Sequence, residues 1–490
     1  MSAELVAMPA RPDDLFRVER FYPFEEGGRR LVFVVDSAAF AELDDPAWAL
    51  AEQLAGQGRV RRSQLKEKLA ASFGDTEADD TWSAFEQLQI LTPSDRPSVR
   101  RVPASLPQDP VSALVLHVSH DCNMRCGYCY ADYGRYGGDY GYMNPELAVE
   151  HTKKFFDQLG DTRSVSVTFF GGEPLMNLDV VYAAHAYAKR RAAEEGRRVG
   201  FALTTNGTLL TRELVEWFEQ ERFSMTVSID GPPDVNDRLR PIQDGAKSYD
   251  VIMAKIAESG LKANARVTLT RKCLDVARIV RHLIGVGFQE VGVSPVATGQ
   301  ERFDLQGEDL KRLLDEMRIL ADDFVEAAKA GEVMPFSNLR TVLEQIAIGD
   351  PRPVPCGAGT KLVAADNKGD LYACHRLVGQ EAFKMGHVES GIDAGLRQQI
   401  LDGMNPASRA PCEACWARYL CGGGCHHIAW LHTEQGAAPW TIGDDFCDFL
   451  RGWYRLGLHT YARIVDEAPG IVPRLRGNFV GTGCNQTQGQ

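Results

Sequence analysis

The sequence predicts an α/β protein whose middle is a partial, TIM-like (β/α)6 barrel, with a winged-helix-like unit ahead of it and a cysteine-rich domain behind. Three observations lead there. Apolar runs of strand length recur at 113–119, 164–170, 199–204, 223–229, 263–269 and 289–294, with helix-length stretches in the gaps. Ahead of them the pattern changes to a glycine-turn hairpin followed by three short helical stretches. Behind them, seven of the twelve cysteines fall between Cys356 and Cys447.

In chain order, residues 1–98 form the first unit. Phe16–Phe24 and Arg30–Val35 flank a Glu-Glu-Gly-Gly turn, the signature of a hairpin. Helical periodicity follows around Trp48–Leu54, Arg62–Phe73 and Thr81–Leu88. The proline-rich stretch before Asp109 reads as a linker, placed at 99–110. Residues 111–300 carry the six strand–helix units, and their helices are expected at 146–158, 180–193, 212–219, 249–258 and 276–286. Tandem units of this kind imply a parallel sheet with right-handed crossovers, and ligand chemistry belongs at the C-terminal ends of such strands. Residues 301–350 read as two bridging helices, Leu310–Ala328 and Asn338–Ile348. The polar, proline-rich stretch 349–355 opens the last domain, 351–490.

Composition bounds the function. A net charge of -13 argues against a nucleic-acid or anionic-membrane surface. No stretch approaches the roughly 20 apolar residues of a spanning helix, and the start Met-Ser-Ala-Glu-Leu lacks the features of a signal peptide. Twelve cysteines without an export signal are expected as metal ligands in the reducing cytoplasm. The expectation is a cytoplasmic, oxygen-sensitive protein with no nucleic-acid or membrane partner.

Cys122, Cys126 and Cys129 stand at C-x3-C-x2-C spacing directly after the first barrel strand, 113–119. Thiolates this close can hold three corners of a four-iron, four-sulfur cube and leave one iron open to a non-protein ligand. The alternative, a zinc knuckle, would want four ligands. Other strand ends carry polar motifs. Gly171-Gly172-Glu173-Pro174 ends the second strand, where two glycines let backbone approach a ligand and Glu173 supplies a carboxylate. Thr204-Thr205-Asn206-Gly207 closes the third strand and Ser228-Ile229-Asp230-Gly231 the fourth, while Arg266 on the fifth offers a fork suited to a carboxylate. Asp237 falls on an expected loop over the barrel mouth. It could take a proton from a substrate or orient it, or simply be solvated. Arg238 and Arg240 could position an acidic substrate.

The second cysteine set is Cys356, Cys374, Cys412, Cys415, Cys421, Cys425 and Cys447, with a hairpin expected around 366–370. Spacing alone allows iron–sulfur clusters or two zinc sites. Cys273 is most simply a small core side chain.

Cys122-Asn-Met-Arg-Cys126-Gly-Tyr-Cys129 resembles the signature of the radical S-adenosylmethionine (SAM) enzymes, in which SAM chelates the open iron of a [4Fe-4S] cluster. The resemblance implies that Tyr128 lies near the adenine and that the Gly171-Gly172-Glu173 motif contacts the methionine amino group. It also implies that Asn206, Ser228 and Arg266 belong to the SAM site, the last two toward the carboxylate and ribose. The C-terminal cysteines resemble the SPASM extension of peptide- and protein-maturing radical SAM enzymes. That implies two auxiliary [4Fe-4S] clusters, three in all. Cys412, Cys415, Cys421 and Cys447 would close one. Cys356, Cys374 and Cys425 would hold the other, with an open iron or with Cys484 as fourth ligand. Leu362 occupies the region where some relatives carry an extra cysteine. The N-terminal unit resembles leader-peptide recognition domains, in which a peptide adds a strand to a hairpin edge; a simple packing domain is the alternative.

The barrel's wording, Phe169-Phe-Gly-Gly-Glu-Pro-Leu175 and Arg266-Val-Thr-Leu-Thr-Arg271, is most similar to the maturase of quinohemoprotein amine dehydrogenase. That family forms thioether bonds between cysteine and Asp or Glu carbon in a small gamma subunit. The resemblance therefore implies hydrogen abstraction by a 5'-deoxyadenosyl radical, a small cysteine-containing peptide or protein substrate, and a flavodoxin- or ferredoxin-type electron donor. Other readings stand beside it: another SPASM peptide modification, such as a different thioether-forming ribosomal-peptide maturase or a sulfatase-type, formylglycine-forming enzyme, and a non-enzymatic iron–sulfur or zinc scaffold that binds a peptide.

Overall fold

The computed structural model describes residues 14–97, 105, 106, 108–433 and 440–477. Cys484 and most of the expected linker lie outside them.

The N-terminal unit holds two three-stranded sheets where one hairpin was expected. The run 16–24 divides at Glu19-Arg20 into β1 (Leu15–Val18) and β2 (Phe21–Glu26). The cause is that successive backbone groups serve different sheets: Glu19 N donates to Ile90 O at 2.9 Å, and Arg20 O accepts from Val35 N at 2.9 Å. Strand β2 pairs with β3 (Arg29–Val34) across a turn in which Gly27 and Gly28 take φ of +59° and +77°. Strand β4 (Phe40–Glu42) completes that sheet, and β1 lies between β5 (Arg59–Arg61) and β6 (Leu91–Pro93). Helix α1 (Asp45–Leu54) starts at an Asp44 cap that accepts from Ala47 N, and α2 (Arg62–Phe73) and α3 (Asp75–Gln87) follow. Both faces of β3 are buried. Val32 and Val34 join the unit's own core with Trp82 and Phe85, whereas Leu31 and Phe33 join the core of the main body.

The six expected parallel strands are present and adjacent in sequence order: β7 (Ala113–His120), β9 (Ser164–Gly171), β10 (Arg198–Thr205), β11 (Phe223–Ser228), β12 (Asn264–Leu269) and β13 (Val291–Pro295). A short β8 (Gly141–Tyr142) pairs antiparallel with β7. Helices α4 (Pro145–Asp157), α5 (Leu178–Glu194), α6 (Arg212–Gln220), α8 (Tyr249–Ser259) and α9 (Val276–Gly285) fall where periodicity placed them. The stretch over 233–239, read as loop, is instead a helix, α7 (Pro233–Leu239), opened by a proline whose missing N–H costs nothing at a first turn. Along β12 the pattern alternates. Ala265, Val267 and Leu269 are buried, while Asn264, Arg266 and Thr268 on the other face are only half-buried.

The sheet does not stop at residue 300. Strand β14 (Leu362–Ala365) pairs in parallel with β7, and β15 (Asp370–Tyr372), β16 (Lys384–His387) and β17 (Gly391–Ile392) extend it antiparallel. The expected hairpin at 366–370 is thus β14–β15, its turn held by the Asp366 carboxylate, which accepts from Lys368 N and Asp370 N at 2.9 Å each. Leu362 is a buried residue of β14. The bridging helices are α10 (Glu308–Lys329) and α11 (Ser337–Ile348), and the remainder comprises α12 (Ala394–Met404), α13 (Ala410–Glu413), α14 (Arg418–Cys421), α15 (His426–His432), α16 (Asp444–Glu467) and α17 (Val472–Gly477). Helix α16 packs on α10 and α11 and receives the N-terminal unit: Phe40 meets Tyr461 edge-on at 6.3 Å, and Arg455 donates to Glu25 O at 2.7 Å. No helix among the described residues is long and apolar enough to cross a membrane.

Candidate functional site

Cys122, Cys126 and Cys129 lie on the loop that leaves the C-terminal end of β7. The loop is pinned to the segment after α7, with Arg125 N donating to Pro241 O at 2.9 Å and Gly127 N to Leu239 O at 3.2 Å. Burial pushes the Cys122 thiol up to about 12, with the Glu173 charge and the other two sulfurs adding to it. Burial likewise raises Cys126 to about 11, against the pull of Arg240. Three thiols that hinder one another's ionisation need a positive core to be thiolates together, which an iron–sulfur cube supplies. Among the described residues, no three His, Cys, Asp or Glu side chains converge on a single-ion site.

The Gly171-Gly172-Glu173 motif brings the end of β9 against this loop. Gly172 N donates to Ser119 O at 2.7 Å and Glu173 N to Asp121 O at 2.9 Å. A Cβ on Gly171 would fall 2.3 Å from Ser119 O, and one on Gly172 would fall 2.1 Å from Asp121 O. The close approach predicted for a ligand is therefore already made to protein backbone. Glu173 is fully buried, and its carboxylate accepts from Leu175 N at 3.0 Å, Thr205 Oγ1 at 2.8 Å and Asn206 N at 2.7 Å. It locks the end of β9 to the end of β10. Asn206 then carries the contact to the cysteines, its Nδ2 donating to Asn123 Oδ1 at 2.8 Å and reaching Cys122 Sγ at 3.8 Å. An amide aimed at a cluster sulfur is one of the levers that set cluster potential.

Ser228 and Arg266 are register partners on β11 and β12 and share the half-buried polar face. A Cβ at Gly292 would approach Arg266 Nη1 to 3.2 Å, so the glycine leaves the guanidinium its room. Tyr128 is buried, and its hydroxyl donates to Asp230 Oδ2 at 2.6 Å while accepting from Arg240 Nη1 at 2.7 Å. Asp230 Oδ1 accepts from Thr268 N at 2.9 Å, so this chain joins the cysteine loop to β11 and β12. Arg240, which sequence offered to an acidic substrate, is 7% exposed and committed to Tyr128; Arg238 is exposed and donates to Lys272 O at 2.9 Å. Asp237 is on α7, not on a loop. Its Oδ1 accepts from Ser248 N at 3.0 Å and Tyr249 N at 2.8 Å, which caps the start of α8.

Among the C-terminal cysteines, burial drives the Cys421 thiol up to about 12, and the charges of Cys412, Cys415 and Cys447 add to it. The loops that carry Cys356 and Cys374 are tied together. Gly359 N donates to Ala373 O at 2.9 Å, tying the turn after Cys356 to the residue before Cys374. Between Cys421 and Cys425 stand three glycines with φ of +64°, +88° and +70°. A Cβ at Gly422 would lie 2.5 Å from Pro355 N, so the turn that follows Cys421 packs on the backbone just before Cys356. Tyr130, on the first cysteine loop, feels the charges of both Cys129 and Cys374 and packs on His427 at 5.8 Å. His427 is buried and His375 half-buried, and each is held down to about 3, by desolvation first and then by Arg376. Cys273 lies in the core.

Sequence reasoning did not single out Asp230, His375 or His427, although Asp230 lies within a quoted motif and the histidines stand within two residues of Cys374 and Cys425.

Residues 116–272 match the model of the radical SAM superfamily. The Fe-coproporphyrin III synthase of Methanosarcina barkeri is 30% identical over 177 residues, 35% of this chain and 41% of that protein, so the chain spans about two fifths of that relative. The mycofactocin maturase of Mycolicibacterium smegmatis is 25% identical over 67% of this chain and 82% of its own length. The serine-type anaerobic sulfatase-maturating enzyme of Klebsiella aerogenes is 22% identical over 66% of this chain and 82% of its own. The solved structure of native anSMEcpe with bound AdoMet superposes with a TM-score of 0.62 at 18% identity, covering 74% of this chain and 100% of that one; it shares the fold.

Proposed function

We propose that this chain, whose residues 116–272 carry a radical SAM domain, is a peptide maturase that forms intrapeptide Cys-to-Asp/Glu thioether links in a small protein substrate, as in the gamma subunit of quinohemoprotein amine dehydrogenase. The observation that carries it is the joining of two cysteine sets. The triad loop at the C-terminal end of a parallel strand meets, through Tyr130 and His427, a seven-cysteine region that continues the same sheet. Alignment of two thirds of the chain with a mycofactocin maturase supports maturation of a ribosomal peptide.

Cys122, Cys126 and Cys129 would hold the SAM-binding [4Fe-4S] cluster, Cys412, Cys415, Cys421 and Cys447 one auxiliary cluster, and Cys356, Cys374 and Cys425 the other. Bound there, SAM and the reduced cluster supply a carbon radical able to take a hydrogen atom from an unactivated C–H bond. The protein's share is placement. Tyr128 offers its ring while its hydroxyl is tied back, Arg266 and Ser228 stand ready for the SAM carboxylate and ribose, and Asn206 steadies Cys122. Glu173 and Asp237 act through the backbone they hold. Desolvation keeps His375 and His427, next to Cys374 and close to Cys425, in their neutral form. The first unit fits a winged-helix-like reader of the substrate's leader, and a flavodoxin or ferredoxin would deliver the electron.

The test is mass spectrometry of a small cysteine-rich subunit coexpressed with the protein. Loss of two hydrogens per link, with sulfur retained, is the expected result. Loss of sulfur with gain of an aldehyde would favour the sulfatase-type reading, which the relationship to the sulfatase-maturating enzyme makes the second choice. No 5'-deoxyadenosine from anaerobic protein given SAM and dithionite would exclude both.

A further inference from the structure

Arg409 is fully buried beside the cysteine quartet, three residues before Cys412. Its Nη1 donates to Trp440 O at 2.8 Å and its Nη2 to Gly423 O at 3.2 Å, while Nε is buried without a hydrogen-bond partner. The backbone has been shaped around it: Gly423 takes φ of +88°, and a Cβ there would sit 1.7 Å from Nη2. Among the described residues no carboxylate pairs with this guanidinium. The negative groups that act on it are Cys412, Cys421 and Cys447. Burying an unpaired cation costs several kcal/mol, and arginine does not escape the cost by giving up its proton. Such a group implies a buried anion. Four thiolates around a [4Fe-4S] core carry net negative charge, and three of the quartet's cysteines, Cys412, Cys421 and Cys447, lie close enough to act on the guanidinium.

We infer that Arg409 is the built-in counter-ion of the cluster held by Cys412, Cys415, Cys421 and Cys447, and that its charge raises that cluster's reduction potential. The inference rests on the proposed assignment of a cluster to the quartet. A fixed cation stabilises the more negative, reduced state over the oxidised one, so the quartet's cluster is easier to reduce with Arg409 beside it than without. Arg409 is a positioning and tuning residue.

The experiment compares wild type, Arg409→Lys and Arg409→Met, reconstituted anaerobically in a background where the triad is removed by Cys122→Ala, Cys126→Ala and Cys129→Ala. Iron is counted, and the midpoint potentials of the remaining clusters are measured by EPR-monitored titration. In Arg409→Met, the potential of the cluster that disappears on Cys421→Ala falls by at least a tenfold change in its reduction equilibrium, about 59 mV for one electron. Arg409→Lys stays near wild type. An unchanged potential in Arg409→Met with full iron overturns the inference. Should the Met variant fail to hold iron, the Lys variant decides: retention of cluster and potential supports the counter-ion, and equal loss in both means that shape, not charge, is what Arg409 provides. Iron content that Cys421→Ala does not alter would remove the cluster assignment itself, a separate failure.

Discussion

The ring of Tyr22 lies flat on that of Trp416, centroids 4.4 Å apart and planes 6° from parallel. Tyr22 is on β2 of the N-terminal unit, and Trp416 stands next to Cys415 in the quartet. Phe24 and Phe33 approach the same indole at 6.1 Å, and Arg20 Nη1 donates to Glu413 O at 3.0 Å. The sheet expected to receive a peptide is thus seated on the loop expected to hold a cluster. A double-mutant cycle of Tyr22→Ala and Trp416→Ala should give a coupling of about 1 kcal/mol. Trp416→Ala alone should speed hydrogen exchange across 21–26. Strict additivity with unchanged exchange would mean that the two regions do not communicate through this stack.

Gly172→Ala tests the close backbone approach at the end of β9. A methyl group 2.1 Å from Asp121 O cannot be absorbed by a flexible side chain, because every nearby atom is backbone. The cysteine loop must shift, so the variant should purify folded but with about four fewer irons per chain than wild type. Normal iron content would show that the approach is not needed to shape the triad.

Folding stability should fall as the solution is acidified, and His151 isolates one cause away from every cysteine. It is 2% exposed on α4, and burial holds its imidazole down to about 4, against an opposing pull from the Asp366 backbone. Between the usual 6.5 and about 4 the unfolded chain binds a proton that the folded chain refuses. The stabilisation is complete above 6.5 and is lost as pH falls toward 4. Comparing urea unfolding at pH 7 and pH 5, wild type should lose about 2 kcal/mol more than His151→Leu. Parallel losses would mean that the imidazole is protonated in the fold.

The strands were legible because each is a short apolar run bounded by turn residues, and the cysteine sets because their spacing is rare. What stayed hidden depends on distant partners. Nothing in Leu362–Ala365 announces β7 as its neighbour, since parallel pairing is set by tertiary packing. The split at Glu19-Arg20 is a choice between two sheets that local propensity does not record. Asp237 and Arg240 looked like loop residues free to meet a substrate, because α7 is only seven residues long and its proline reads as a break. The amides that the Glu173 carboxylate accepts from were hidden too, because a motif shows which residues are present and not which backbone groups they face.

The hydroxyl and the ring of Tyr128 can be separated. The ring packs edge-on to Phe303 at 6.5 Å, whereas the hydroxyl alone bridges Arg240 and Asp230. Tyr128→Phe keeps the aromatic face and removes the bridge, leaving Arg240 Nη1 without its acceptor and Asp230 Oδ2 without its donor in a dry interior. Unmade hydrogen bonds of buried charged groups cost about 1–3 kcal/mol, so thermal stability should drop. If the ring is what meets SAM, affinity for SAM measured by calorimetry on the reconstituted protein should change less than threefold. Because Arg240 acts on Cys126, a guanidinium freed from Tyr128 should also alter the EPR signal of the triad cluster. Unchanged stability would assign the bridge no structural weight, and abolished SAM binding would assign the cofactor contact to the hydroxyl.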